Sequence, residues 1–194
     1  MVDKVVELLH EYQDLFPSMF TELKGIIGDL GIMKITLKPN AKPVKKIPYH
    51  LNPKYNKNIC VELDKMLVVG IIEPVEESDW VSPMVVQEKK QKDEIRIWVD
   101  LKKLNDTCVH DPFPTLITNE VFGNVGGQKV CSFTDGFLGY HQIKIALEDR
   151  SKMTFETKCG CFQYTVIPFG MKNALAIFSR IVIDVFKEFI HKFL

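Results

Sequence analysis

One acid closes an apolar run in the string Cys131-Ser-Phe-Thr-Asp135, and that placement restricts the chain more than any other feature. The run reads as a strand, so it delivers a single carboxylate to a strand end. Gly136 and Gly139 then punctuate a turn, and Tyr140 lands five residues after the acid. Further on, Val166-Ile-Pro-Phe-Gly170 makes a second turn, and its Pro-Phe-Gly opens a helix of small residues through Ala174 and Ala176.

Composition sets few limits. The 194 residues suffice for one good core or two small lobes, and 46% hydrophobic with 26% charged residues describes an ordinary soluble globular protein. Twenty-five basic residues balance twenty-five acidic ones, so no global field announces a nucleic-acid partner. The positive charges cluster locally, at Lys38, Lys42, Lys45 and Lys46, at Lys54 and Lys57, and at Lys89, Lys90 and Lys92.

Five cysteines, at 60, 108, 131, 159 and 161, lack the paired spacing of a zinc site or a disulfide framework. They read as buried or neutral thiols of a reducing compartment. No basic segment leads into an apolar stretch at the N-terminus, and no apolar run reaches the ~18 residues of a membrane span. The expectation is a chain with no membrane partner and no targeting signal.

Along the chain, Val5, Val6, Leu8, Leu9, Tyr12, Leu15 and Phe16 recur at helical spacing, and Pro17 ends that helix. Met33, Ile35 and Leu37 alternate as one face of a strand. The basic segment Lys38 to Pro48 carries three prolines, which forbid both a helix and a central strand. Asn52-Pro53 starts a helix with the apolar stripe Tyr55, Ile59, Leu63, Met66 and Leu67, and Gly70 stops it. Met84 to Glu88 and Ile95 to Val99 read as a hairpin with a polar connection, on which Arg96, Trp98 and Asp100 share one face. A weak helix precedes Gly126-Gly127, a hairpin surrounds Cys159-Gly-Cys161, and a last helix runs from about Asn173. There is no internal repeat and no low-complexity tract.

From about Leu37 onward the chain resembles the reverse transcriptases of gypsy-like long-terminal-repeat retrotransposons, plant-type. The strings that carry the resemblance are Phe133-Thr-Asp-Gly136, Gly139-Tyr-His-Gln-Ile143, Arg96-Ile-Trp-Val-Asp100 with Leu104-Asn105, and Pro168-Phe-Gly-Met-Lys-Asn173. The implied fold class is α+β, the fingers and partial palm of a right-hand polymerase, with helices packed on one face of an antiparallel sheet. Residues 1–32 would be a helical lead-in, 33–127 the fingers-like region and 128–194 a partial palm. In the family the palm continues into a Tyr-x-Asp-Asp strand, which these 194 residues do not contain. The thumb and RNase H are also expected elsewhere.

The implied function is RNA-directed DNA polymerisation within a retrotransposon polyprotein, nucleotidyl transfer by two-metal catalysis. The alternative is a non-catalytic nucleic-acid-binding or protein-interaction remnant of a decayed retroelement. By resemblance, Asp135 is the first catalytic and metal-binding aspartate, and the carbonyl of Gly136 a further ligand for Mg²⁺ or Mn²⁺. Tyr140 would lie under the incoming sugar and collide with a 2′-hydroxyl. Arg96, with Lys89 or Lys90, would hold the triphosphate. Phe169 and Gly170 would pack beside the nucleotide, and Lys102 and Asn105 would touch template or primer. The implied partners are an RNA or DNA template-primer, deoxynucleoside triphosphates and the rest of the polyprotein, in a cytoplasmic virus-like particle. On the residues alone, a turn aspartate and a core tyrosine are the plainer readings of Asp135 and Tyr140.

Several positions depart from the family. Leu116, Leu147 and Leu175 stand where related sequences carry proline, Leu138 where they carry serine and Met153 where they carry threonine. Each change is reachable by one C-to-T substitution at a second codon position, and we hypothesise a mutationally decaying element copy. Codons that allow no such single step would sink that reading. Proline restored at 175 is expected to stabilise the chain.

Overall fold

A computed structural model describes residues 2–13, 25–26, 28–88, 95–114, 123, 126–127 and 138–189. The start of the lead-in is helical, α1 (Val2–Glu11), as its periodicity predicts, while Leu15, Phe16 and the stop at Pro17 lie outside the described residues. Its apolar residues are half-exposed, however, Val5, Leu8 and Leu9 among them.

Local chemistry explains the next helix closely. The side chain of Asn52 accepts the Lys54 N–H at 3.1 Å, Pro53 opens a 3₁₀ turn over Pro53–Tyr55, and α2 (Asn56–Val68) follows. The N–H of Gly70 then donates to the Leu67 carbonyl and that of Ile71 to Met66, a Schellman closure. Such a closure needs a left-handed residue after the helix, and Gly70 supplies it with φ of 73°. Ile59 and Leu63 turn the α2 stripe into the core.

The main sheet has five strands in the order β2 (Ile72–Pro74), β7 (Gly160–Tyr164), β6 (Thr154–Thr157), β3 (Ser82–Glu88), β4 (Ile95–Val99). The expected hairpins are both present, β3–β4 in the register Met84↔Val99 to Glu88↔Ile95 and β6–β7 closing at Thr157↔Gly160. Strand β2 is antiparallel to β7. The sheet is not wholly antiparallel as expected, since β3 and β6 run parallel through Ser82↔Phe155. Those two strands come from distant parts of the sequence, so a long crossover joins them where a hairpin cannot. A short parallel pair, β1 (Ile32–Met33) with β5 (Lys144–Ile145), lies apart. The alternation at 33–37 holds, with Met33 and Ile35 buried and Leu37 partly so.

Fully buried Phe155, Met153, Ile143 and Ile167 form the centre of the core. The Phe155 ring lies 5.3 Å from Tyr164 and 6.0 Å from Phe162. Burial pushes the Tyr164 phenol above its usual range.

The cysteine expectation needs correction. Cys60 on α2 and Cys159 in the β6–β7 turn are joined as a disulfide, with Cα atoms 6.2 Å apart. Their wide separation in sequence hid the pair, because only the fold brings α2 against that turn. Cys108 and Cys161 are free thiols, and burial pushes both upward in pKa. The weak helix before Gly126 lies outside the described residues.

Two of the three positions at which the family carries proline are now placed. Leu147 is the first residue of a 3₁₀ helix, Leu147–Met153, and is 75% exposed, while Ala146 before it has φ −53° and ψ 137°. That is the extended conformation a following proline demands, and a first-turn N–H has no intrahelical partner to lose. Leu147→Pro is therefore expected to add about 0.4–1 kcal/mol by reducing unfolded-state freedom. A denaturation midpoint below the parent's would refute it. Leu175 is the second residue of α4 (Ala174–Phe186), so Ala174 before it is helical, which a following proline disfavours. The gain expected there is smaller.

Candidate active site

Alternation on β4 buries Ile95 and Val99 and leaves Arg96 and Trp98 on the opposite, exposed face. Directly after the strand comes Asp100. Its Oδ1 accepts the Lys102 N–H at 3.1 Å, and its Oδ2 accepts Tyr49 at 2.9 Å and Lys46 at 3.1 Å. The Lys102 N–H, with Tyr49 and Lys46, holds this carboxyl below its usual range despite partial burial. The pairing in turn raises Lys46. The proline-rich basic segment is thereby pinned to the end of β4. A second tie is the backbone, where Lys46 N–H donates to Val81 and Val81 N–H to Val44.

Next along the chain is α3 (Lys102–Thr107), which presents Asn105 to the Pro-Phe-Gly turn. The Asn105 amide donates to the Gly170 carbonyl at 2.8 Å and accepts the Lys172 N–H at 2.9 Å. Asn173 repeats the device, donating to the Val109 carbonyl and accepting the Asp111 N–H. Gly170 has φ of 91°, a left-handed conformation that glycine takes without strain. The turn leaves Phe169 46% exposed.

Phe169 is the hub of an aromatic cluster. Tyr140 meets it edge-on at 5.4 Å and His141 edge-on at 5.6 Å, while Trp98 lies tilted to it at 6.1 Å. Tyr140 also packs edge-on against Phe178 of α4 at 5.4 Å. Edge-on pairs at such distances add to the burial they accompany. Tyr140 belongs to a 3₁₀ turn over Gly139–Gln142, and a Cβ at Gly139 would stand 2.7 Å from the Phe178 ring. Only glycine lets the two segments approach so closely. Burial lowers the His141 pKa, which favours its neutral ring.

The structure thus brings Tyr140, Phe169 and Gly170 together and places Arg96 on the same strand face as Trp98. Both ends of the Asn105 amide engage the turn, so its visible role is to hold Gly170. The side chain of Lys102 is exposed beside it. Lys89, Lys90, Asp135 and Gly136 lie outside the described residues. Among the described residues no three His, Cys, Asp or Glu side chains gather to hold a metal. Sequence reasoning missed Phe178 and Asn173 as supports of the site. The glycine at 139 was the available signal for a close helix contact.

Solved structures share this fold. The fold matches the native prototype foamy virus protease-reverse transcriptase with a TM-score of 0.75, at 20% identity over 96% of this chain and 24% of that one. The foamy viral protease-reverse transcriptase in complex with an RNA/DNA hybrid also gives 0.75, at 19% identity over 96% of this chain and 24% of that one. Residues 87–193 match the family described as "Reverse transcriptase (RNA-dependent DNA polymerase)", and the chain belongs to that family. It is 31% identical to the Retrovirus-related Pol polyprotein from transposon opus of Drosophila melanogaster over 98% of its length, covering 19% of that protein. Against the corresponding polyprotein from transposon gypsy it is 35% identical over 68% of its length, covering 13%. The chain spans no more than about a fifth of either relative.

Proposed function

We propose that this chain supplies the fingers, within 33–127, and part of the palm, within 128–194, of an RNA-directed DNA polymerase borne on a gypsy-like polyprotein. The observation that carries the proposal is the contact of Trp98, Phe169 and Tyr140. It joins the strand bearing Arg96 to the Pro-Phe-Gly turn and to the segment that follows Asp135. Arg96, with Lys89 or Lys90, would engage the triphosphate, since a guanidinium can grip phosphate oxygens bidentately. Phe169 and the open backbone of Gly170 would flank the incoming nucleotide, and Asn105 would keep that backbone in place. Lys102 would contact template or primer.

The oxygen donors of Asp135 and of the Gly136 carbonyl suit a hard cation, Mg²⁺ or Mn²⁺. Bound there, such ions would lower the pKa of the attacking hydroxyl and offset charge on the leaving pyrophosphate. The substrates would be deoxynucleoside triphosphates on an RNA or DNA template-primer. The setting would be a virus-like particle. No helix among the described residues is long and apolar enough to cross a membrane.

The test is primer extension by the chain continued through a Tyr-x-Asp-Asp strand. Tyr140→Ala should lower the preference for deoxyribonucleotides over ribonucleotides roughly tenfold to a hundredfold, the scale of one pocket contact. Primer binding should change little. An unaltered ratio would leave Tyr140 as a packing residue, and no extension at all by the parent would reject the proposed function.

A further inference from the structure

We propose that Cys60 and Cys159 form a reversible thiol-oxidation site, at which a low-molecular-weight disulfide such as oxidised glutathione installs the cross-link between α2 and the β6–β7 turn. Neither the polymerase reading nor Asp135 enters this inference. It rests on the choice that the fold makes among the described cysteines. Cys108 is buried, and Cys161 is part-buried with its thiol pushed up by burial and by Glu156. Both shifts work against the thiolate that exchange requires. Cys60 is part-exposed and Cys159 exposed, and their Cα separation of 6.2 Å is within disulfide range.

The turn is built to present one of the two sulfurs. The Cys159 N–H donates to Thr157 Oγ1 at 3.0 Å, and that hydroxyl donates to the Gly160 carbonyl at 2.9 Å. These bonds fix the turn with Cys159 outward. Both cysteines also line a cleft of about 420 Å³, walled by Tyr49, Leu51, Ile59, Met84 and Thr157. Lys158, exposed beside Cys159, offers positive charge to an anionic oxidant.

The chemistry balances without further reagents. The Cys159 thiolate attacks one sulfur of oxidised glutathione, breaks its S–S bond and releases one glutathione thiolate. The Cys60 thiolate then attacks the Cys159 sulfur of the mixed disulfide and releases the second. Two protein thiols are oxidised, one glutathione disulfide is reduced to two thiols, and excess reduced glutathione reverses both steps. The link joins residues 99 apart in sequence, so it constrains most of the unfolded chain between them. It also ties α2, which packs under β4, to the hairpin of β6 and β7. Oxidation therefore stiffens the support of the strand that carries Arg96 and Trp98.

The experiment equilibrates the 194-residue chain in buffers of graded reduced and oxidised glutathione. Peptide mass mapping without reductant should show a 60–159 cross-link that grows with oxidation and vanishes in excess reduced glutathione. Melting temperature should rise on oxidation by the order of 10 °C. Hydrogen exchange should slow in α2 and in residues 154–164. Cys60→Ser and Cys159→Ser should each abolish the shift, while Cys161→Ser keeps it. The inference is overturned if no 60–159 peptide forms at any ratio or if another pair is linked instead. It is equally overturned if the oxidised and reduced chains melt and exchange alike, or if the shift survives in Cys60→Ser.

Discussion

No primer extension is expected from the 194-residue chain alone, on a poly(rA)-type template with either Mg²⁺ or Mn²⁺. Phosphoryl-type transfer depends on positioning and on fixed charge at the reacting centre, and a single carboxylate cannot hold the metal pair. On the proposed reading Asp135 needs a second acid, and the structure engages two of the other aspartates elsewhere, Asp100 and Asp149. Asp100 is occupied by Lys46, Tyr49 and the Lys102 N–H. Asp149 is buried, where its carboxylate accepts the Ile35 N–H and pairs with Lys152. A lone carboxylate with one carbonyl leaves Mg²⁺ holding most of its waters. Once a Tyr-x-Asp-Asp strand is supplied, Asp135→Asn should reduce extension by at least about 10²–10³, the cost of losing one preorganised group. Extension by the short chain that disappears with Asp135→Asn would show that another acid completes the site. Extension that survives the substitution would point to a contaminating polymerase.

Asp149→Ala should cost about 3 kcal/mol of stability, close to what breaking a buried ion pair from one side costs. The Asp149 side chain is 7% exposed and that of Lys152 21%. Removing the carboxylate strands the Ile35 N–H, which it accepts at 2.7 Å, and leaves the ammonium half-buried without its acid. Asp149→Asn retains an acceptor for Ile35 and should cost clearly less. Urea denaturation of the two variants checks the order, and equal midpoints for Asp149→Ala and the parent would show that the segment is held by other means.

Elements whose signals are local were legible in the sequence. Asn52, Pro53 and Gly70 mark the two ends of α2 without help from the rest of the chain. The alternation at 95–99 assigns Arg96 and Trp98 to one face. Gly139 and Gly170 flag the two turns that meet at Phe169. What the sequence could not disclose is long-range. The parallel pairing of β3 with β6, the Cys60–Cys159 link and the Asn105 clamp each join segments with no periodic or spacing signal between them. Trp98 was placed on the right face, but nothing in the strand says that its partner is Phe169. How the candidate residues at 96, 140, 169 and 170 come together needed the fold.

The parallel pair of β3 and β6 has a kinetic consequence. Strand β3 cannot find its partner on one side until the chain has been made through Phe155, so the middle of the sheet closes late. Before that, the β3–β4 hairpin has one flank open, the one that β6 later covers. Pairings between remote segments fold slowly because loop closure precedes the contacts that reward it. During synthesis the emerging polypeptide therefore passes through a window in which an unfinished sheet edge is available to other chains. A ribosome-bound product ending before residue 155 is expected to be far more open to protease, and to a strand-binding chaperone, than one ending after Tyr164.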